Sequence, residues 1–184
     1  DTFGSKDELY RRSFEEYAQR RGEELVEALD GPGLVRDRLR SYLLGLVTEP
    51  DGRGCFIVNT ACERSYDDAE SRAMAAAAME ATVGALRGAL RSAEAAGELR
   101  AGVSPKVAAT TLLVLMEGLQ VLTKTGADSA TLAPVIDAAL DATELERCEQ
   151  LTDLLLVRSQ WLALSLDAPA ALPGAARLLP DELE

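Results

Sequence analysis

Few side chains in this sequence could do covalent or metal chemistry, and their types exclude more than they permit. Cys55 and Cys62 lie seven residues apart, so on one helix they would share roughly one face. Two thiols fall short of a closed zinc site. The chain has no histidine, so it can assemble neither a His-based metal site nor a Ser-His-Asp or Cys-His device. There is no Gly-rich loop of either common phosphate-cradling pattern. Asp67 and Asp68 are neighbours at i and i+1, positions that do not share a helix face, so they read as caps and not as an acid–base pair. These residues predict a non-enzyme, with no catalytic residue, no metal and no cofactor.

Two kinds of chemistry remain. A thiol reacts when a nearby cation or a helix N-terminus lowers its pKa, and Cys55 stands where a helix could begin. Sensing of electrophiles or oxidants is one reading of Cys55 and Cys62, and inert packing is the other. Cys148 stands apart from both. The second kind is reversible binding. A mostly apolar helical cavity needs a few polar handles, and Tyr17, Tyr42, Phe56, Asn59 and Gln120 could serve. Met79, Val83 and Met116 supply adaptable walls; for the methionines, Met74 included, plain core packing is the competing reading.

Positioning these side chains falls to helices. Ser5-Lys6-Asp7-Glu8 reads as a capping box that opens a helix with Leu9, Tyr10, Phe14, Tyr17 and Ala18 inward, continuing through Leu25, Val26 and Leu29 after a break near Gly22. Asp30-Gly31-Pro32-Gly33 stops it. Val35, Leu39, Tyr42, Leu43, Leu46 and Val47 form one stripe of a second helix. Residues 56–62 have strand-like propensity, but a lone strand would leave backbone groups unpaired, which predicts a short helix. A long rod follows from Ser65-Tyr66-Asp67-Asp68, with Met79, Val83, Leu86, Leu90 and Ala93 on its core side, ending at Gly97. Ser104-Pro105 opens the next helix. Asp128 or Ser129 caps a shorter one bearing Leu132, Val135, Ile136, Ala139 and Leu140, with Pro134 in its first turns. Leu145 to Leu164 predicts one more helix, and 168–184 a loosely ordered tail rich in Ala, Pro and Leu.

The helix after Pro105 is apolar around more of its circumference than one core face requires. Leu112, Leu115, Leu119 and Leu122 make one face, while Leu113, Val114, Met116 and Val121 spread beyond it. Gly118 allows close approach of another backbone. An exposed patch of that size marks an interface. A two-fold dimer is therefore expected, with Leu112, Leu115, Gly118, Leu119, Leu122, Val135 and Ile136 at its interface.

At 184 residues and 47% apolar content, the chain suffices for one all-α domain with a real core. A net charge of −12 opposes a broad nucleic-acid-binding face. Three cysteines without close pairing point to a reducing cytoplasm. No run reads as a membrane span and the start has no signal-peptide pattern.

Thr2-Phe3-Gly4-Ser5-Lys6-Asp7-Glu8-Leu9-Tyr10 resembles the junction in TetR-family transcriptional regulators where the helix-turn-helix unit ends and the fourth helix begins. Gly54-Cys55-Phe56-Ile57-Val58-Asn59-Thr60-Ala61 is similar to the sixth-helix segment of a large subgroup, and the match continues through Ala95-Ala96-Gly97-Glu98-Leu99 and Leu115-Met116-Glu117-Gly118-Leu119. The resemblance implies a TetR-like regulatory helical bundle in a repressor-type regulator: a homodimer holding a small-molecule inducer, with DNA reached through an N-terminal unit absent ahead of Phe3. By it, residues 1–4 are the remnant of that unit, 5–143 the ligand-binding and dimerisation domain, and 144–184 an extra segment of unassigned role. Lys6 matches the family lysine that touches a DNA phosphate. The competing readings are a ligand-free helical dimerisation module and, further off, a helical-bundle enzyme.

Overall fold

The computed structural model describes residues 4–48, 53–143 and 145. They form six helices and no strand: α1 (Lys6–Leu29), α2 (Val35–Thr48), α3 (Phe56–Glu63), α4 (Ala69–Ala95), α5 (Pro105–Lys124) and α6 (Ser129–Ala142). The chain divides into two units, Asp1–Arg147 and Cys148–Glu184. Cys148, the tail at 168–184 and, apart from Leu145, the helix expected over 145–164 lie outside the described residues.

Side-chain caps set most of the helix starts. Ser5 Oγ accepts the Glu8 N–H at 3.0 Å, while the Glu8 carboxylate engages Arg11 and Arg12 one turn on. Asp68 accepts from the N–H groups of Glu70 and Ser71, Ser104 from Val107, and Asp128 from Thr131. At α2 the cap comes from far along the chain: the Glu98 carboxylate takes the Val35 N–H at 2.8 Å, an anion placed where the helix dipole favours it. Gly97, at φ 76°, makes the turn that brings Glu98 there.

α1 runs unbroken through Gly22. The expected break is absent because ladders span the glycine: Gln19 donates to Glu23 at 2.9 Å and Arg21 pairs with Glu24 at 2.9 Å. Leu9 and Val26, expected to face inward on α1, are instead exposed.

Two apolar clusters divide the core. The larger draws Leu25 and Leu29 of α1, the α2 stripe, Leu86 and Leu90 of α4, Leu112 and Leu119 of α5, and Leu132, Ile136 and Leu140 of α6 into one mass. The smaller joins Phe14, Cys55, Ile57, Val58 and Ala75 beneath α3. α5 also corrects an expectation: this 20-residue helix holds an 18-residue window with a mean hydropathy of 1.3, enough by length and composition to cross a membrane. Its sequence is that apolar because one side packs inward through Leu112, Met116 and Leu119 while the other presents Val107, Val114 and Val121 outward.

α2 and α6 are also joined by charge. Arg36 is buried and reaches Asp141 at 2.6 Å, whereas Arg40 holds Asp137 at 2.6 Å with both side chains more than a third exposed. Removing Asp141 strands a buried guanidinium, so Asp141→Ala is expected to cost about 2–3 kcal/mol. The exposed pair contributes little, and Asp137→Ala is expected to cost under about 1 kcal/mol. Urea unfolding of the two variants checks the ordering.

Candidate functional site

Phe56, the first residue of α3, is the apolar contact that fastens the start of α3 to α1. The rings of Tyr10, Phe14 and Tyr17 all meet it edge-on, with centroids 5.2, 5.6 and 5.7 Å away. Such contacts contribute beyond the area they bury. Cys55, just before Phe56, is buried and caps no N–H of α3 with its side chain. Burial first, and Cys55 next, push Tyr17 up to about 12, with Arg21 opposing. Cys62, at the far end of α3, is exposed. The two thiols therefore sit in different surroundings, because Cys55 precedes the helix and only Cys62 lies on it.

Behind this aromatic seat is a chamber of about 30 Å³, walled by Arg21 and Leu25 of α1, Tyr42 of α2, Cys55 and Ile57 at the start of α3, Thr82 of α4, and Met116, Glu117 and Gln120 of α5. Three of the eight predicted ligand-binding residues meet there: Tyr42, Met116 and Gln120. Tyr17, Phe56 and Met79 pack around the smaller cluster and Val83 against the larger one. Asn59 lies elsewhere. It donates to the Arg53 carbonyl at 3.1 Å and accepts from Lys124 Nζ at 2.9 Å, tying α3 to the end of α5.

Glu117 is the residue that sequence reasoning passed over. Its Oε2 is buried with no hydrogen-bond partner, and burial lifts its carboxyl from the usual range to about 7. One signal was available: it is the single charged residue in the apolar run from Leu112 to Leu122.

The first turn of α1 is latched to the α3–α4 junction. Arg64 lies over the Tyr10 ring at 4.2 Å and pairs with Asp68 at 3.2 Å and Asp7 at 3.5 Å. The Tyr10 hydroxyl meets Thr60 Oγ1 at 2.6 Å, and Arg11 reaches Glu70 at 3.6 Å. Lys6 is exposed in the opening turn.

α5 and α6 present uncharged, apolar residues outward. Val107 is 64% exposed, Val114 66%, and Val121, Leu122 and Val135 46% each, with Gly118 exposed among them. Of the predicted interface residues, Gly118, Leu122 and Val135 are among these. Leu112, Leu119 and Ile136 are buried inside the subunit and Leu115 packs against its core, because α5 turns most of its 4-3-4-3 stripe inward and leaves only Leu122 of it exposed.

The profile of the tetracyclin repressor-like C-terminal domain matches residues 40–139. The chain belongs to the TetR family. Two solved structures of the TetR family transcriptional regulator CifR, both cysteine mutants complexed with 26-base-pair double-strand operator DNA, superpose with TM-scores of 0.69. They are 27% and 26% identical to this chain, and each match covers 77% of this chain and 76% of the other. A TetR regulator from Chloroflexus aurantiacus J-10-FL, 24% identical, has the same fold at a TM-score of 0.66, covering 76% of this chain and 72% of that one. No curated protein gives a significant match. The α1–α6 bundle is thus the regulatory bundle of a TetR-family regulator, and the chamber lies inside it.

Glu117 makes stability fall with pH. Its folded carboxyl ionises near 7 and the unfolded one near 4.5, so between those values the folded state holds the extra proton. Stability contributed by the neutral form is present below pH 4.5 and is lost as pH rises to 7. After allowance for partial exposure, Glu117→Gln is expected to gain about 1–2 kcal/mol over wild type at pH 8 and to match it at pH 4.5. Urea midpoints at the two pH values check this.

Proposed function

We propose that this chain is the sensing and dimerisation part of a ligand-responsive, repressor-type transcriptional regulator acting in the cytoplasm. One observation carries the sensing half: Glu117, whose Oε2 is buried without a hydrogen-bond partner, lines a chamber walled by five helices, α1 among them. A buried polar atom without a partner is costly, and a bound molecule would repay that cost with a hydrogen bond.

The chamber has about the volume of one water's share of the liquid. A larger molecule enters only by displacing wall side chains, which couples occupancy to helix position. Cys55 and Ile57 at the start of α3 form part of that wall, and Phe56 ties that start to α1 through three ring contacts. With a DNA-reading unit ahead of α1, as in the resemblance, two preferred placements of α1 become two spacings of the paired units. The inducer acts by binding one placement more tightly. By the resemblance, Lys6, exposed in the first turn of α1, would touch a DNA phosphate when that unit is docked. With the net charge of −12, DNA is held through that unit and not through the bundle.

The dimer half rests on the uncharged face of α5 and α6. Two copies paired through Val107, Val114, Val121, Leu122 and Val135 would bury one another's exposed apolar surface in a four-helix arrangement. Gly118 tests it cleanly, since a Cβ there meets nothing within 4 Å in the subunit. Gly118→Arg should therefore leave the subunit folded while placing a charge at the crossing. Sedimentation is expected to give a dimer of twice 19.6 kDa for wild type and a folded monomer for Gly118→Arg. A monomeric wild type at tens of micromolar would remove the dimer. For sensing, a metabolite screen by thermal shift should find a stabilising compound whose effect is lost in Glu117→Gln; a screen with no such compound favours the ligand-free module.

A further inference from the structure

Between α1 and α4 runs a groove of about 820 Å³, within the range of small-molecule sites. Its floor is made of small and apolar groups: Ala18, Gly22, Leu25 and Val26 from α1, and Ala78, Ala81 and Ala85 from α4. Val26 among them is 55% exposed. Every charged residue lining it is acidic: Glu23, Glu27 and Asp30. Leu25 and Thr82 belong both to this groove and to the Glu117 chamber, so the two spaces are separated by one layer of side chains.

We infer that the molecule sensed is an amphiphilic amine, its apolar body lying in the α1–α4 groove and its cationic head passing between Leu25 and Thr82 to Glu117. This rests on the sensor reading of the chamber and names its ligand class. The groove alone would accept any apolar body, and the acidic rim alone would be an ordinary solvated face. What joins them is the buried, unpartnered carboxylate oxygen behind their shared wall, which lacks a donor that an ammonium group supplies. A carboxylate ligand would meet three acidic residues on entry and a fourth at the end. The cation in the chamber wall, Arg21, is engaged by Glu24 at 2.9 Å on the same helix.

The same geometry makes binding pH-dependent. Glu117 must be ionised to hold the ammonium, so affinity rises as pH passes about 7. The other charged or titratable groups facing this path are Arg21, Glu23, Glu27 and Asp30 on α1, Tyr42 on α2 and Cys55 before α3, with none from α4. Glu117→Gln separates its contribution from theirs.

Calorimetry on the full chain with 4-phenylbutylamine, 4-phenylbutanol and 5-phenylpentanoate isolates the head group, since the three share one phenylbutyl body. The amine is expected to bind at least about tenfold more tightly than the alcohol at pH 8, a margin of one charge-assisted hydrogen bond, with the acid weakest. That margin should shrink about tenfold at pH 6 and vanish in Glu117→Gln. Ala81→Trp, at an exposed position of the groove, should abolish binding of amine and alcohol alike without unfolding the bundle. The inference is overturned if the alcohol or the acid binds as tightly as the amine, if Glu117→Gln leaves the margin intact, or if Ala81→Trp still binds. Tight binding of the acid or alcohol that depends on Glu117 would overturn the amine while keeping the chamber as a sensor. No heat with any of the three overturns the amine, and the metabolite screen then decides the sensor reading.

Discussion

The seating of Phe56 among Tyr10, Phe14 and Tyr17 is the constraint on which the rest of the molecule turns. It fixes where α3 begins, and so where Cys55 and Ile57 stand in the chamber wall. It also fixes where α1 lies, through three rings spread over two helical turns. A second set of contacts, Arg64 to Tyr10, Asp7 and Asp68, holds the first turn of α1 to the same junction. Edge-on ring contacts contribute beyond the area they bury, so three of them on one side chain fix the joint's geometry. The ion pairs are half-exposed and weak one by one, so they bias the joint without freezing it.

α5 carries the opposite demand. It must close the larger core, present an uncharged outer face, and place one carboxylate toward the chamber, all within 20 residues. The first two needs make it apolar nearly all round, which is why it also passes for a membrane span on composition. The third sets Glu117 in an environment that holds its carboxyl up to about 7. A helix serving only a core would have carried an apolar residue there and been more stable.

Helix ends were legible in the sequence because caps are local: Ser5, Asp68, Ser104 and Asp128 act within four residues of themselves. The short helix at Phe56 was legible by elimination, since no partner strand was at hand. What was not legible was long-range. The Glu98 cap on α2 spans 63 residues, and the burial of Arg36 against Asp141 spans 105. Asn59 looked like a cavity handle because amides are, but its register on α3 points it to Lys124. Which side of α5 turns inward was not legible for a related reason: a helix apolar on two sides gives no local sign of it. Glu117 was visible as an isolated charge, yet isolation on an apolar helix is equally the mark of a solvated edge.

The central claim is that Glu117 sits desolvated and without a charged partner inside the bundle. Carbon-13 NMR of the glutamate side-chain carboxyl carbons, with Glu117→Gln assigning the resonance, reads this directly across pH 3 to 9. The account predicts a single-proton titration with its midpoint at about 7. A midpoint in the ordinary glutamate range, near ~4.3, would mean the carboxyl is hydrated or paired, and the chamber would lose the feature that makes it a site.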